Sequence, residues 1–328
     1  MDTENFVPYL DTLASGYQKS QILFTALRAG VFDQLEEPRT SNEVAGAVGW
    51  SPRGTRMLLD GLVALNLVDK DGEAYRNAPV ASQCLVEGAT LDQTHIMRHR
   101  DHGYATWGQL EQTVQQGHGL PKAEESRSPE ELRAFICGMN DIAKQSARDM
   151  LGIVDLTDRR NLLDIGAGPG TYSIACMEAI PELRATLFDL PEVIPIGREQ
   201  VEATGFTDRA SFVEGDLTTD ELGSGFDLIL VSNIIHSYGP DTNADLVKRC
   251  YSALKPGGKL IIKDFLLESD RMGPPFSLIF ALHMLVHTDA GDTYSRDEVA
   301  RWTDSAGFAP GAFRELTPQS GLWIVEKK

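Results

Sequence analysis

The chain has 328 residues, of which 42% are hydrophobic and 24% are charged, a balance typical of globular proteins rather than disordered chains. This length exceeds the size at which one hydrophobic core usually stops growing, so we expect two domains. The formal net charge of -18 opposes binding to phosphate backbones and to anionic membrane surfaces. The composition therefore argues against nucleic acid and membranes as partners.

The start of the chain, residues 1–5, is acidic and lacks the basic and apolar stretches of a signal peptide. The longest apolar stretch, around residues 277–286, contains His283 and is too short to span a bilayer. The 4 cysteines lie far apart and form no CxxC pair. We therefore expect reduced thiols in a cytoplasmic protein, without a disulfide or a cysteine zinc site.

The first segment, residues 1–100, has the pattern of short helices followed by a hairpin. Residues 18–35 place apolar side chains at helical spacing, and Thr40 with Glu43 forms a capping-box pattern that opens a second helix. A turn at 49–52 leads into a third helix that we expect to reach Leu67, and two short strands follow around Asp71-Gly72. This order of elements predicts a winged helix.

The next segment, residues 95–156, reads as mostly helical, with an interruption between 117 and 129. Ser128 followed by Pro129 predicts the start of its last helix, because proline suits the first helical position. From Asn161 onward, strand and helix patterns alternate, which predicts a parallel sheet with crossover helices. The predicted strands are Leu162–Ile165, Ala185–Asp189, Ala210–Glu214, Asp227–Ser232, Lys259–Asp264, Phe313–Glu315 and Leu322–Glu326.

A glycine-rich turn, with Gly166, Gly168 and Gly170, follows the first of these strands and precedes a helix. Glycines allow positive φ and a close approach of the backbone to a ligand, and doubly wound sheets bind ligands at the carboxyl ends of their strands. The spacing is Gly-x-Gly-x-Gly. The third glycine of a dinucleotide fingerprint would fall on Thr171, which argues against a dehydrogenase with a nicotinamide cofactor.

Acidic residues accompany the first three strands of this segment. Asp164 precedes the glycines, Asp189 ends the second strand and Asp216 follows the third. Each acid by itself is most simply a turn former or helix cap. Together with the glycine turn they favour a binding site for S-adenosylmethionine, which carries a sulfonium and an ammonium but no phosphate. Asp189 could accept both ribose hydroxyls, Asp216 could face the adenine edge, and Asp164 could contact the ammonium.

These motifs resemble the class I S-adenosylmethionine-dependent small-molecule O-methyltransferases, of the caffeic acid and acetylserotonin type and its bacterial relatives. The stretches that carry the resemblance are 162–171, Phe188-Asp189-Leu190-Pro191, Gly215-Asp216-Leu217, Ile234-Ile235-His236 and 254–259. The resemblance implies an α/β fold with a Rossmann-like, doubly wound, mostly parallel sheet and an N-terminal helical, winged-helix dimerisation domain. It also implies a homodimer that acts on a small-molecule acceptor.

We expect three regions along the chain. Residues 1–100 form the dimerisation domain, residues 101–156 a helical linker that contributes to the acceptor pocket, and residues 157–328 the domain that binds S-adenosylmethionine. The resemblance implies two sets of binding residues. Those expected to hold the cofactor are Asp164, Gly166, Gly168, Gly170, Asp189, Leu190, Asp216, Leu217 and Ser232, and those expected to line the acceptor pocket are Phe135, Met139, Met284 and Thr288.

His236 is the candidate catalytic base, because it follows the fourth strand closely and matches the catalytic histidine of the family. A histidine is suited to remove a proton from a hydroxyl acceptor near neutral pH. Asp264 matches a family glutamate beside that histidine and could fix the imidazole tautomer. The chain departs from the family pattern at two positions that would orient His236. Ser237 replaces the aspartate usual in plant members, and the family's second flanking glutamate aligns with Thr293, next to Asp292.

His95, His99 and His102 lie on one face of a predicted helix, at a spacing that could converge on a metal ion. Because relatives of this type need no metal, we expect no metal site and place these histidines in the acceptor pocket or on a solvated face.

Two other functions stay open at this point. The same fold could methylate carbon or nitrogen without base catalysis. A winged helix could also belong to a DNA-binding regulator, but acidic residues outnumber basic ones in the first 100 residues. The helix that would enter the groove carries Arg53 and Arg56 and then turns apolar, which suits burial against another subunit better than DNA.

Overall fold

The protein is described by a computed structural model that covers residues 3–120 and 128–328. The chain divides into two compact units, Met1–His102 and Gly103–Lys328. The finer division into 1–100, 101–156 and 157–328 stays a prediction. Within the described residues, no helix is both long enough and apolar enough to cross a membrane.

The N-terminal unit has the winged-helix arrangement that the element order predicts, with a three-stranded sheet in the order β1-β3-β2. Its helices are α1 (Thr3–Arg28), α2 (Val31–Gln34), α3 (Ser41–Val48), α4 (Pro52–Ala64), α5 (Pro79–Cys84) and the start of α6 (Thr94–Trp107), and its strands are β1 (Arg39–Thr40), β2 (Val68–Asp71) and β3 (Ala74–Asn77).

Local backbone chemistry sets the ends of these helices. The capping box of α3 is confirmed: the Glu43 amide donates to the Thr40 hydroxyl and the Thr40 amide donates to the Glu43 carboxylate. The single helix predicted over 18–35 is wrong, because Gly30 adopts φ 65° and separates α1 from α2. The third helix ends at Ala64 rather than Leu67, since Asn66 adopts a left-handed φ of 57°.

The second unit contains the predicted alternation of helices and strands. Its further helices are α7 (Leu110–Gln116), α8 (Pro129–Ile153), α9 (Thr171–Ala179), α10 (Ile194–Thr204), α11 (Pro240–Ala253), α12 (Pro275–His287) and α13 (Arg296–Ala306), and its strands are β4 (Asn161–Ile165), β5 (Arg184–Asp189), β6 (Ala210–Glu214), β7 (Phe226–Ser232), β8 (Leu254–Asp264), β9 (Ala312–Thr317) and β10 (Ser320–Glu326). The predicted interruption at 117–129 lies partly outside the described residues.

The seven strands form one sheet in the order β6-β5-β4-β7-β8-β10-β9. β4 to β8 pair in parallel, whereas β10 is antiparallel to both of its neighbours. Hydrophobic residues cover both faces: Leu163 and Ile165 pack into one core and Leu162 into the other. Burial on both faces explains why the strands read as near-continuous apolar runs.

The sheet order reverses at β4, whose neighbours are β5 on one side and β7 on the other. Loops that leave the carboxyl ends of β4 and β7 therefore diverge and open a crevice, the usual ligand site of doubly wound sheets. Asp189, Ser232 and Asp264 end their strands at this edge. The fold thus gathers the predicted site residues from separate parts of the sequence.

Helix α1 exposes a row of apolar side chains that the N-terminal unit leaves uncovered. Phe6, Leu10, Leu13 and Tyr17 share one helix face, and Leu13 is 60% exposed. An exposed apolar row on a long helix suits a protein–protein interface.

We predict that Leu13→Glu weakens self-association, because it places a charge in this row. The dimer dissociation constant should rise by about tenfold or more, as measured by light scattering across a concentration series. Val80→Glu is the matched control, since Val80 is 69% exposed on α5 and lies outside the row. Equal association constants for the two variants would rule out α1 as the interface.

Candidate active site

The glycine turn connects β4 to α9 through three left-handed residues. Gly166, Gly168 and Gly170 have φ values of 65°, 53° and 75°. A Cβ on Gly170 would lie 2.7 Å from the side chain of Leu187, so both its conformation and its packing require glycine. Gly197 on α10, which was not singled out from sequence, also allows close packing against the turn, since a Cβ there would lie 2.7 Å from the carbonyl oxygen of Gly168.

Two carboxylates lie beside this turn, Asp164, which is buried, and Asp189, which is half-buried. Asp164 is 2% exposed and accepts a hydrogen bond of 2.7 Å from the Ser173 hydroxyl, and burial raises its pKa to about 7. Asp189 accepts from the Gly168 amide at 2.6 Å and from the Leu190 amide at 2.8 Å. Burial nevertheless raises the pKa of Asp189. Both groups would be stabilised by a cationic or hydroxyl-bearing ligand.

Asp216 differs from these two acids. Its carboxylate accepts hydrogen bonds from the amide and the hydroxyl of Thr218, at 2.8 and 2.7 Å, and these bonds lower its pKa. Leu217 is buried, whereas Leu190 is 40% exposed at the end of β5. The turn-forming contacts of Asp216 do not test its predicted adenine contact, which stays a prediction together with the functions of Leu190 and Leu217.

Buried hydroxyl groups also mark this edge of the sheet. The Ser232 Oγ at the end of β7 and the Tyr172 Oη in the first turn of α9 are buried and interact with each other. Tyr172 was missed by the sequence analysis, although its place directly after the glycine turn was a usable signal.

His236 and Asp264 are joined by a short hydrogen bond. The Nδ1 of His236 lies 2.7 Å from Oδ1 of Asp264, and His236 is only 9% exposed. Burial opposes ionisation of Asp264, but His236 and the amide of Phe265 outweigh this effect and lower its pKa. An ionised Asp264 only accepts hydrogen bonds, so Nδ1 carries the proton and the lone pair of the neutral imidazole lies on Nε2.

Aromatic rings surround His236 on two sides. Phe265 stacks on it at a centroid distance of 5.9 Å, and Phe280 of α12 meets it edge-on at 5.1 Å. The two phenylalanines also contact each other at 4.6 Å. Neither was singled out from sequence, although Phe265 directly follows Asp264. The apolar wall suits a flat aromatic ligand.

The predicted acceptor residues lie in two groups. Phe135 packs on α8 against Val193 and Ile196, and Met139 is half-buried one turn further along the helix. Met284 is buried on α12, and the Thr288 hydroxyl donates to the Met284 carbonyl at the end of that helix. Thr288 also lines a cavity of about 380 Å³ with Gly119, Leu120, His287 and Asp289. Their binding to an acceptor stays a prediction.

The segment after α12 holds the backbone of His236 rather than its ring. The Asp292 amide donates to the His236 carbonyl at 3.1 Å, whereas the Thr293 hydroxyl donates to the carbonyl of Ser277. The position of the family's second glutamate therefore supplies no side chain to the imidazole here.

Across the described ranges, no group of His, Cys, Asp or Glu is arranged to hold a metal ion, and this includes His95, His99 and His102.

Known proteins share both parts of this architecture. Residues 106–309 match the O-methyltransferase domain model, and residues 12–87 match the O-methyltransferase dimerisation domain model. The tetracenomycin polyketide synthesis 8-O-methyl transferase TcmO of Streptomyces glaucescens is 31% identical over 90% of this chain and 89% of its own length. The N,N-dimethyltransferase OxyT of Streptomyces rimosus is 28% identical over 95% of this chain and 94% of its own.

A solved structure shows the same fold with a ligand. Human N-acetylserotonin methyltransferase in complex with S-adenosylmethionine matches with a TM-score of 0.88 and 29% identity, over 100% of this chain and 98% of that chain.

The raised pKa of Asp164 predicts how stability depends on pH in the absence of cofactor. The unfolded carboxyl is ionised above about pH 5, whereas the folded one loses its proton only near pH 7, so its stabilising contribution disappears as the pH rises to 7. Relative to Asp164→Asn, the free energy of unfolding of the wild type should fall by roughly 2 kcal/mol between about pH 5.5 and about pH 8. Urea denaturation measures both curves, and parallel curves would contradict the assignment.

Proposed function

Since this chain belongs to the S-adenosylmethionine-dependent O-methyltransferases with an N-terminal dimerisation domain, we propose that His236 is the general base with which it methylates a hydroxyl group. The acceptor class is a small aromatic or polyketide-type molecule. The dimerisation domain supports a homodimer.

The hydrogen bond between His236 and Asp264 is the observation that carries this proposal. Because Asp264 is ionised and holds the proton on Nδ1, Nε2 presents a lone pair that can accept a proton from an acceptor hydroxyl. The carboxylate also stabilises the imidazolium that forms after the transfer. Asp264 thus orients the base without itself touching the acceptor.

The residues around the glycine turn fit S-adenosylmethionine. In this proposal Asp189 accepts from the ribose hydroxyls and Asp164 pairs with the ammonium, which is supported by the raised pKa values of both carboxyl groups. The buried hydroxyls of Ser232 and Tyr172 suit the polar amino-acid end. When bound, the cofactor would supply an electrophilic methyl group, which the acceptor oxygen would attack in line while the C–S bond breaks and the neutral thioether leaves. A pyrophosphate at this turn would be repelled by the two carboxylates.

The protein environment contributes mainly alignment and exclusion of water. Phe265 and Phe280 enclose the imidazole, so a flat acceptor can stack beside it with a hydroxyl directed at Nε2. Holding the acceptor oxygen in line with the methyl group lowers the entropic barrier of the displacement. This wall supports an aromatic acceptor such as N-acetylserotonin or a phenolic polyketide.

Methylation of nitrogen is the second candidate, and the similarity to OxyT favours it. An amine acceptor has its own lone pair and needs no base to remove a proton before transfer. The two candidates therefore differ in their dependence on His236. Mass spectrometry and NMR of the products formed from phenolic and amine acceptors would show whether an ether or a tertiary amine is made.

We predict that His236→Ala lowers kcat for a phenolic acceptor by roughly 10²–10⁴-fold, because the proton acceptor is lost. The affinity for S-adenosylmethionine, measured by calorimetry, should stay within about twofold of the wild type, since His236 lies outside the glycine turn. Full activity of His236→Ala, with an ether as product, would contradict base catalysis while leaving the cofactor assignment intact.

We predict that Asp189→Asn weakens S-adenosylmethionine binding by about tenfold or more, because an amide accepts hydrogen bonds from the ribose less well than a carboxylate. Asp304→Asn is the control, since Asp304 is exposed on α13 in the same unit. Calorimetric titration measures both variants. Unchanged affinity of Asp189→Asn would place the ribose elsewhere.

A further inference from the structure

The short loop from Asn233 to His236, which we call the base loop, connects β7 to the imidazole. Asn233 adopts a left-handed φ of 56°, a conformation that asparagine tolerates better than most residues. Ile234, the next residue, packs directly against Gly166 of the glycine turn. His236 itself lies in a single turn of 3-10 helix, Ile235–Ser237. The geometry of these few residues decides where Nε2 points.

A buried lysine holds the start of the base loop. The Nζ of Lys263 donates to the Asn233 Oδ1 at 2.7 Å, and the Asn233 amide donates to the Lys263 carbonyl at 2.8 Å. Lys263 is only 4% exposed, and burial lowers its pKa to about 8. Desolvating an ammonium is costly, so its place in a central strand calls for an explanation beyond surface charge.

The residue after Lys263 holds the other end of the same loop, because Asp264 binds the imidazole of His236. Successive side chains of a strand point to opposite faces of the sheet. Lys263 therefore binds Asn233, and Asp264 binds His236, from opposite faces. Phe265 connects these two contacts, because the Lys263 Nζ lies 5.0 Å from the centre of its ring and the same ring stacks on His236.

We propose that Lys263 and Asn233 are positioning residues that fix the base loop so that His236 meets Asp264 with Nε2 directed toward the acceptor. The inference rests on the proposed role of His236 as the base. Lys263 acts through Asn233, and its charge also helps to lower the pKa of the neighbouring Asp264. It touches neither acceptor nor cofactor in this assignment. Its contribution is to keep the loop in one conformation, on which alignment for the reaction depends.

Four variants separate this role from general stability. Lys263→Met removes the ammonium at nearly constant length, and Asn233→Gly removes the amide while keeping the left-handed backbone free of strain. Asn233→Asp restores an acceptor for Lys263 in a residue that also tolerates this φ. Lys327→Met is the matched control: the Lys327 Nζ donates to the carbonyls of Tyr251 and Leu254 and lies 4.6 Å from the Tyr251 ring, at the amino end of β8.

The first readout requires no acceptor. In the full-length protein with nitrogen-15-labelled histidine, the proton on Nδ1 of His236 should give a downfield NMR resonance, because it is hydrogen-bonded to a carboxylate. We expect Asn233→Gly and Lys263→Met to broaden or lose this resonance, Asn233→Asp to retain it, and Lys327→Met to retain it despite a lower melting temperature. Retention of the resonance in Asn233→Gly and Lys263→Met would overturn the proposal.

The second readout is the kinetics of methyl transfer to N-acetylserotonin, used as a hydroxyl-bearing probe. Lys263→Met and Asn233→Gly should lower kcat by roughly 10- to 100-fold while changing KM and cofactor affinity by less than about threefold. Asn233→Asp should recover most of the lost kcat. Equal losses in kcat and in cofactor affinity would overturn the proposal in favour of a general structural role.

The two readouts distinguish failure of the inference from failure of the proposed function. Loss of the resonance with unchanged kcat would support the positioning role of Lys263 and Asn233 but contradict base catalysis by His236. Loss of the resonance and of kcat in Asn233→Gly, with recovery of the two signals in Asn233→Asp, would support the positioning role and base catalysis together.

Discussion

The burial of carboxylates at the carboxyl edge of the parallel sheet is the constraint on which the other features of this site depend. Asp164 and Asp264 are buried and Asp189 is half-buried, and an isolated negative charge is costly away from water. Asp264 has a partner within the chain, His236, and its pKa is lowered. Asp164 and Asp189 have only neutral hydrogen-bond donors and their pKa values are raised. The protein thus holds one carboxylate that is paired within the chain, Asp264, and two carboxylates, Asp164 and Asp189, whose ionised forms a cationic nucleoside would stabilise.

The fold produces this arrangement from elements that are individually ordinary. Apolar residues bury both faces of the sheet, and the reversal of strand order at β4 opens the crevice at its carboxyl edge. Gly166 and Gly170 allow the turn there to pack tightly, and α10 approaches it through Gly197. Under the proposed function, methyl transfer requires little more of the protein than alignment and a correctly oriented base, which the pair of His236 and Asp264 would supply.

Much of this could be predicted from sequence because it is local or repeats regularly. The seven strands, the glycine turn and the capping box of α3 follow from spacing within a few residues of each other. The pairing of His236 with Asp264 was expected from the family resemblance, since the two are 28 residues apart and no spacing rule connects them. The break at Gly30 was missed, because the apolar periodicity continues across it.

Contacts between neighbouring strands and helices were not predictable in the same way. Lys263 ends an apolar run of β8 and reads as an ordinary polar strand end, yet its amine is buried against Asn233. Phe280 looks like one more apolar residue of α12, yet its ring meets His236. In both cases the partner is set by the three-dimensional path of the chain. The one usable signal was the position of Lys263 between that apolar run and Asp264.

The most direct test of the central claim is calorimetric titration of the protein with S-adenosylmethionine at pH 7 in two buffers of different ionisation enthalpy. If the buried Asp164 must ionise to pair with the ammonium, the wild type should release a substantial fraction of a proton on binding, and Asp164→Asn should release markedly less. Equal proton release by the two proteins, or binding of NADH in preference to S-adenosylmethionine, would contradict the account.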